Sequence, residues 1–261
     1  MKWKTETKNH HFAHRYVQYT LWVQAIICGI TTGAGHLQEM GLSWDIETLG
    51  IRKDRDLISV ISLYDPEAGI SRVLRFVDLN EECQVVYCDN YKDTVAELVD
   101  YLDKADFLIG FNTMNFDLPF IQIQFKIPNE KVQAWVLKTR DVLEICRRSF
   151  GLTFPLNAAL ALNNVGDGAK TGSGLEAVEQ AMTGRWQELE AYCLDDSRLT
   201  YELTMLPTIL CPAPFNWRKA NNERTHDPSR VLKIHTHKAP LMSFSYGPVP
   251  GFEPDSKRSR T

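Results

Sequence analysis

Hydrophobic and polar residues alternate along residues 41–50, GLSWDIETLG. Leucine, tryptophan and isoleucine take one set of alternate positions, and Ser43, Asp45 and Glu47 take the other. A period of two predicts a β-strand whose successive side chains point to opposite faces. Asp45 and Glu47 should therefore share one face and repel each other, unless a cation lies between them.

The following 160 or so residues predict strands first, and then strands that alternate with helices. Runs rich in β-branched and large apolar residues predict strands at 57–65, 72–79, 84–88 and 106–112. Apolar residues at helical spacing, or long runs without breakers, predict helices at 91–105, 115–127, 139–150, 156–164, 175–183 and 185–206. Asn115 is the expected N-cap of its helix, and Asp141 is expected at the start of another. This order is typical of an α/β fold with a mixed sheet and helices on its faces.

The chain divides into three parts by composition. We expect a partly apolar extension at 1–40, a regular domain at 41–211, and a basic, proline-containing tail at 212–261 that is mostly disordered. The apolar run at 16–30 could be a membrane anchor or the core of a signal peptide. It is interrupted by Gln18 and Gln24 and is shorter than the ~20 residues of a membrane span, so we favour a packing helix or an upstream extension.

Charge is distributed unevenly along the chain. The formal net charge is -4, but residues 41–211 hold 16 basic and 27 acidic residues, while both ends are basic. A nucleic-acid-binding protein can have such a middle if its acids hold metal ions and the basic ends contact phosphates. The six cysteines show no zinc-site spacing. A structural zinc is therefore not expected, and scattered cysteines fit a reducing compartment best. We expect this compartment to be the cytoplasm or wherever the genome is replicated, and we expect neither secretion nor a membrane partner.

All seven histidines lie outside residues 41–211. A catalytic triad that uses a histidine of this middle part is therefore excluded. If the middle part is an enzyme, its chemistry must depend on carboxylates and metal ions.

Three acidic stretches carry the candidate chemistry. The first holds Asp45 and Glu47, and the second, LIGFNTMNFDLPFI, places Asp117 in the first turn of a helix after a buried strand. The third, EAYCLDDSRLTYEL, places Tyr192 and Asp196 four residues apart on one helix face. Carboxylate oxygens are the ligands that Mg²⁺ and Mn²⁺ prefer. Taken singly, these residues could also be solvated strand acids, a helix cap and a surface pair.

The sequences WDIET, GFNTMNFD and YCLDD resemble, in this order, the three motifs of the DnaQ-like, ribonuclease H-fold 3′–5′ exonucleases. They are most similar to the branch that includes the proofreading domain of family B DNA polymerases. YCLDD resembles the tyrosine (DEDDy) subclass, because the histidine subclass has His five residues before the aspartate, where this chain has Ala191. The glycine-rich GAKTGSGLEAV before the third motif is also similar. The resemblance covers residues 41–206 and implies a ribonuclease H-like, mixed five-stranded sheet.

The resemblance implies a role for each acidic residue. Asp45 would bridge two Mg²⁺ or Mn²⁺ ions, and Glu47 and Asp196 would bind the ion that holds the attacking water. Asp117 would bind the second ion, largely through water. Tyr192 would orient the attacking water, since a tyrosine with an ordinary pKa near 10 is a better hydrogen-bonding group than a base at neutral pH.

Thr48, Leu49, Asn112 and Phe116 are the expected substrate contacts by the same resemblance, although Asn112 and Phe116 could instead be a turn residue and a core residue. The function implied is two-metal 3′–5′ exonuclease activity at the 3′ end of single-stranded or frayed nucleic acid, with DNA favoured over RNA. A polymerase or a helicase would be a partner in trans. The alternative is a non-catalytic nucleic-acid-binding module with the same fold.

Overall fold

The computed structural model describes residues 40–150, 153–166 and 172–212, together with four short strands farther along the chain. Side chains are described for residues 40–147, 153–166 and 172–210. The packing helix or upstream extension expected at 16–30 lies outside the described residues.

Five of the described strands form the central sheet. The strands up to residue 141 are β1 (Gly41–Thr48), β2 (Ile58–Asp65), β3 (Ile70–Arg75), β4 (Val77–Leu79), β5 (Val85–Tyr87), β6 (Phe107–Gly110) and β7 (Thr139–Asp141). The strand order in the sheet is β3-β2-β1-β6-β7. The first three strands are an antiparallel meander, and β6 and β7 run parallel to β1. The expected mixed five-stranded sheet is therefore confirmed.

Helices cover both faces of this sheet. The described helices are α1 (Tyr91–Lys104), α2 (Asp117–Phe125), α3 (Asn129–Lys138), α4 (Val142–Phe150), α5 (Leu156–Asn163), α6 (Gly174–Met182) and α7 (Trp186–Met205). Leu42, Trp44 and Ile46 pack with side chains of α1, α2 and α3 in the main core on one face. The opposite face of β1 and β2 packs against α6 and α7, where Val60 contacts Ala177 and its neighbours. Within the described ranges, no helix combines the length and the apolarity needed to cross a membrane.

The predicted strand at 72–79 is in fact two strands, β3 and β4. The interruption is Phe76, whose backbone N–H donates to the carbonyl oxygen of Ser59 at 2.9 Å. Its fully buried ring stacks on Phe125 at 4.9 Å and meets the edge of Tyr91. Burial of this ring turns the chain out of the central sheet, and β4 then pairs with β5.

Two predicted helix starts are also wrong. The helix predicted at 139–150 begins at Val142, because residues 139–141 pair with β6 as strand β7. The unpredicted α3 precedes this strand. Asn115 does not cap α2, which begins at Asp117 with Phe116 in the N-cap position. The Asn115 amide instead donates to the Glu144 carboxylate at 2.7 Å.

The chain continues in strands after α7. These are β8 (Thr208–Pro212), β9 (Asn216–Trp217), β10 (Arg224–Thr225), β11 (Val231–Thr236) and β12 (Met242–Gly247). An antiparallel three-stranded sheet is formed by β8, β11 and β12. We did not predict any of these strands, and the remainder of the tail lies outside the described residues. The division of the chain at residues 40 and 211 stays a prediction.

Candidate active site

Three carboxylates from two elements come together on the face of the sheet that α7 covers. Asp45 and Glu47 are on β1, and Asp196 is on α7. One carboxylate oxygen of each residue lies within 4.8 Å of the other two. Glu47 and Asp196 are 8% and 3% exposed, and Asp45 is half-buried. The period of the strand explains why the first two share a face, and the approach of α7 brings the third.

Small polar side chains allow that approach. The Ser43 hydroxyl donates to the carbonyl oxygen of Ser197 at 2.8 Å, and the Ser62 hydroxyl donates to the carbonyl oxygen of Cys193 at 2.8 Å. The hydroxyls of Ser62 and Ser197 are 2.5 Å apart. In the β1–β2 ladder, Ser62 lies opposite Asp45. We call Ser43, Ser62 and Ser197 the serine seam, and it fixes one side of α7 against the strand that carries the acids.

The negative charges of the clustered carboxylates affect the pKa of the neighbouring Cys193 thiol. Burial raises the pKa of Cys193 well above its usual range, and the negative charges of Asp45 and Glu47 raise it further. The thiol therefore stays protonated and points towards the carbonyl oxygen of Asp45, 3.6 Å away. Three clustered carboxylates with hard oxygen donors fit a divalent cation such as Mg²⁺ or Mn²⁺.

Tyr192 precedes Asp196 by four residues, about one turn of α7, and is 7% exposed. Its ring packs in a small apolar cluster with residues of β2, α6 and α7, among them Val60, Ala177 and Leu189. The spacing expected of Tyr192 and Asp196 is thus present on a buried part of the helix, and not on its solvent-exposed surface.

Asp117 lies outside the group of three and begins α2. It is 2% exposed. Burial is the main cause that raises the pKa of Asp117 to about 7, and the charge of Asp141 adds to it. The neighbouring Thr113 hydroxyl acts in the opposite direction. The structure therefore places the fourth predicted carboxylate in an apolar setting that disfavours its charge.

Asp141 organises the loop that precedes Asp117. Its carboxylate accepts backbone hydrogen bonds from Asn112 and Met114, both at 2.9 Å, and from Glu144 at 3.0 Å. The last bond caps the start of α4, as expected of a helix-start acid. The first two hold a turn in which Asn112 has a φ of 70°, a left-handed conformation that asparagine tolerates better than most residues. Nothing in the local sequence reported this second role.

Lys53 and Arg147 connect this loop to its surroundings. The Lys53 ammonium donates to the backbone carbonyl oxygen of Asn115 at 2.7 Å, which joins the loop after β1 to the loop before α2. Arg147 donates to the side-chain oxygen of Asn115 at 2.9 Å and forms an ion pair with Glu144 at 2.7 Å. Sequence reasoning missed both residues, because neither belongs to a recognisable pattern.

The expected substrate contacts lie on the same two loops or close to them. The Thr48 hydroxyl donates to the carbonyl oxygen of Gly50 at 2.5 Å, and Leu49 packs against the apolar cluster around Tyr192. Asn112 forms the left-handed turn, and Phe116 packs on Phe120 with ring centroids 5.0 Å apart. These local roles are compatible with the turn and core alternatives, and substrate contact stays a prediction for all four.

Comparison with known proteins gives one family match. Residues 42–206 match the model of the RNase H superfamily. Similar solved structures include the family B DNA polymerase from the hyperthermophilic archaeon Pyrobaculum calidifontis, with 18% identity and a TM-score of 0.46 over 66% of this chain and 25% of that chain. Another is E. coli Exonuclease I in complex with a dA16 oligonucleotide, with 14% identity and a TM-score of 0.36 over 76% and 55% of the two chains. This chain thus spans a quarter of the polymerase and about half of the exonuclease. No curated protein sequence matches it.

Proposed function

Because the chain belongs to the RNase H superfamily, we propose that it is a metal-dependent 3′–5′ exonuclease. It would release nucleoside monophosphates from the 3′ end of single-stranded or frayed nucleic acid, with DNA preferred to RNA. The observation that carries this proposal is the convergence of Asp45, Glu47 and Asp196, with Tyr192 one turn before Asp196 on the same helix.

The three clustered carboxylates and Asp117 would hold Mg²⁺ or Mn²⁺, with two ions as the expected number. Bound divalent cations would neutralise charge on the phosphodiester and make water more acidic. The acidic cluster alone would repel a nucleic-acid backbone, so the proposal requires these cations for substrate binding as well as for chemistry.

The protein side chains would perform the positioning. The Tyr192 hydroxyl can both donate and accept a hydrogen bond, so it can hold a water molecule in line with the terminal phosphodiester. Burial of Glu47 and Asp196 limits the movement of both carboxylates. The serine seam fixes the distance between α7 and β1, and with it the relative position of the strand acids and the helix acid.

Polarity and substrate can be tested with one set of oligonucleotides. Single-stranded DNA and RNA of the same sequence would carry a fluorophore at the 5′ end in one pair and at the 3′ end in another. We expect a ladder of shortening products from the 5′-labelled DNA and immediate release of a labelled mononucleotide from the 3′-labelled DNA. Both activities should require Mg²⁺ or Mn²⁺ and stop in EDTA.

The matched variants are Asp196→Asn and Asp195→Asn. Asp195 is the next residue towards the N-terminus of α7, and its carboxylate pairs with Arg198 at 2.6 Å instead of joining the cluster. Activity should be lost in the first variant and retained in the second. Release of a mononucleotide from the 5′ end, or cleavage of circular DNA, would overturn the assigned polarity. Binding of DNA without cleavage by the folded wild-type protein would favour the non-catalytic module.

A further inference from the structure

Gly172 lies against the ring of Tyr192. A Cβ atom added at Gly172 would be 3.1 and 3.2 Å from two carbons of that ring, and 3.3 Å from a carboxylate oxygen of Glu176. Contacts this short require the neighbour to move by a few tenths of an ångström. A residue with a Cβ atom at this position would therefore press against the ring.

The backbone conformation adds a second reason for glycine. Gly172 has a φ of 102°, a region that residues with a side chain rarely adopt. A side chain at Gly172 would therefore press on the ring and strain the backbone at this position.

The Tyr192 ring is largely buried. It is 7% exposed and packs with side chains of β2 and α6, including Val60 and Ala177. Because the apolar cluster is closely packed, a push on the ring from Gly172 displaces the ring together with its hydroxyl. The Gly172 backbone and this apolar cluster thus both contact the ring.

We propose that Gly172 is a positioning residue that sets the place of the Tyr192 hydroxyl through close contact of its backbone with the ring. This inference rests on the proposed function only in so far as the hydroxyl acts in the reaction. The contact itself can be measured separately.

Gly174 supplies a matched control in the same stretch. It is the first residue of α6, and a Cβ atom added there meets no atom within 4 Å. Gly174→Ala should therefore leave the ring in place, whereas Gly172→Ala should move it.

The kinetic experiment measures single-turnover cleavage of a 3′-labelled oligonucleotide at saturating Mg²⁺. Because small misplacements of a reacting group are costly, we expect Gly172→Ala to lower the maximal single-turnover rate by about 10- to 100-fold, with little change in the protein concentration that gives half of that rate. Gly174→Ala should cleave at the wild-type rate. Tyr192→Phe removes the hydroxyl and keeps the ring, so adding Gly172→Ala to Tyr192→Phe should cause no further loss. A full additional loss in the double variant would overturn the proposal.

A spectroscopic experiment tests the contact without activity. The chain has nine tyrosines, and in protein labelled with ring-¹³C tyrosine the Tyr192 signals are those that vanish in Tyr192→Phe. We expect these signals to shift in Gly172→Ala and to stay in place in Gly174→Ala, while most of the other tyrosine signals show that the fold is intact. Unshifted Tyr192 signals in Gly172→Ala would overturn the proposal.

A failure of the proposed function can be distinguished from a failure of the inference about Gly172. A wild-type protein without nuclease activity contradicts the proposed function, and the tyrosine spectrum still decides whether Gly172 positions the ring. If Gly172→Ala does not fold, Gly172→Asn replaces it, because asparagine tolerates positive φ better and still carries a Cβ atom. The expected shift and the overturning result are the same for that variant.

Discussion

Replacing Asp196 by asparagine should change the stability of the protein in opposite directions in the absence and in the presence of a divalent metal. Carboxylate oxygens of Asp45, Glu47 and Asp196 lie within 4.8 Å of one another. At an effective dielectric constant of about 20, two unit charges at that distance repel each other by roughly 3 kcal/mol. Asp196 takes part in two such pairs. Because half-buried Asp45 is partly screened by solvent, we expect the neutral variant to be more stable without metal by about 1 to 3 kcal/mol.

Divalent metal should reverse this order. A ligand that binds only the folded state, at a concentration about 1,000 times its Kd, raises the free energy of unfolding by about 4.1 kcal/mol, which exceeds the advantage of the variant without metal. Wild type should gain this stabilisation, and Asp196→Asn should lose most of it, because the cluster then offers one charged ligand fewer. Thermal unfolding in EDTA and in excess Mn²⁺, followed by circular dichroism, measures both effects. Each kcal/mol corresponds to roughly 2–4 °C in Tm for a domain of this size.

Asp195→Asn is the control for this prediction. Its partner is the partly exposed Arg198, so its loss should change the free energy of unfolding by less than about 1 kcal/mol and leave the metal response intact. The reasoning would be refuted if Asp196→Asn were less stable than wild type in EDTA and still gained the full stabilisation from Mn²⁺.

Three further predictions follow from other parts of the structure. Since the pKa of Asp117 is raised to about 7, the metal-free folded protein keeps a proton that the unfolded chain releases, and the free energy of unfolding should fall as pH rises from about 4 to 7. Urea unfolding at pH 5 and 8 should show a smaller fall in this free energy for Asp117→Asn than for wild type. An equal fall in the two proteins would contradict the burial argument. Ser62→Val should wedge α7 away from β1, lower stability by about 1–3 kcal/mol and reduce nuclease activity, whereas the same change at exposed Ser71 on β3 should do neither. Leu98→Ala, in the core on the opposite face, should lower the free energy of unfolding by about 2–5 kcal/mol in a denaturant titration and leave kcat unchanged at low temperature. A loss of kcat would show instead that the two faces of the sheet are coupled.

The strand that carries the first two acids could be predicted from sequence because its pattern is local. Alternate residues of a strand must share a face, so the positions of Asp45 and Glu47 on one side of β1 follow from the period alone. The four-residue spacing of Tyr192 and Asp196 is local in the same way, since it depends only on the turn of a helix. These patterns therefore identified the residues that α7 and β1 bring together.

The approach of α7 to β1 could not be predicted in this way. It depends on Ser43 and Ser62, each of which hydrogen-bonds to Ser197 across the 135 or more residues between the strands and the helix. Serine has no pattern that distinguishes a helix–sheet contact from a solvated position. The same is true of Gly172, whose contact with the ring is a matter of three-dimensional packing and φ.

The misplaced element boundaries have a similar cause. Residues 139–141 are a strand because β6 offers them a pairing edge, and no property of their own sequence reports that edge. Asparagine is a favoured helix-capping residue, but the side chain of Asn115 forms hydrogen bonds with Glu144 and Arg147, which come from a later helix. In both cases tertiary contacts override a local preference.

The most direct test of the central claim is the rate of mononucleotide release from a 3′-labelled single-stranded DNA as Mg²⁺ is titrated, for wild type and Asp45→Asn. Asp45 is the half-buried member of the cluster, so its replacement should disturb the fold least. We expect a metal-dependent rate in wild type and a loss of about 10³-fold or more in the variant, in line with the removal of a group that binds the catalytic ions. Equal rates in the two proteins, or a wild-type rate that persists in EDTA, would contradict the claim that these carboxylates hold the metal ions of a nuclease.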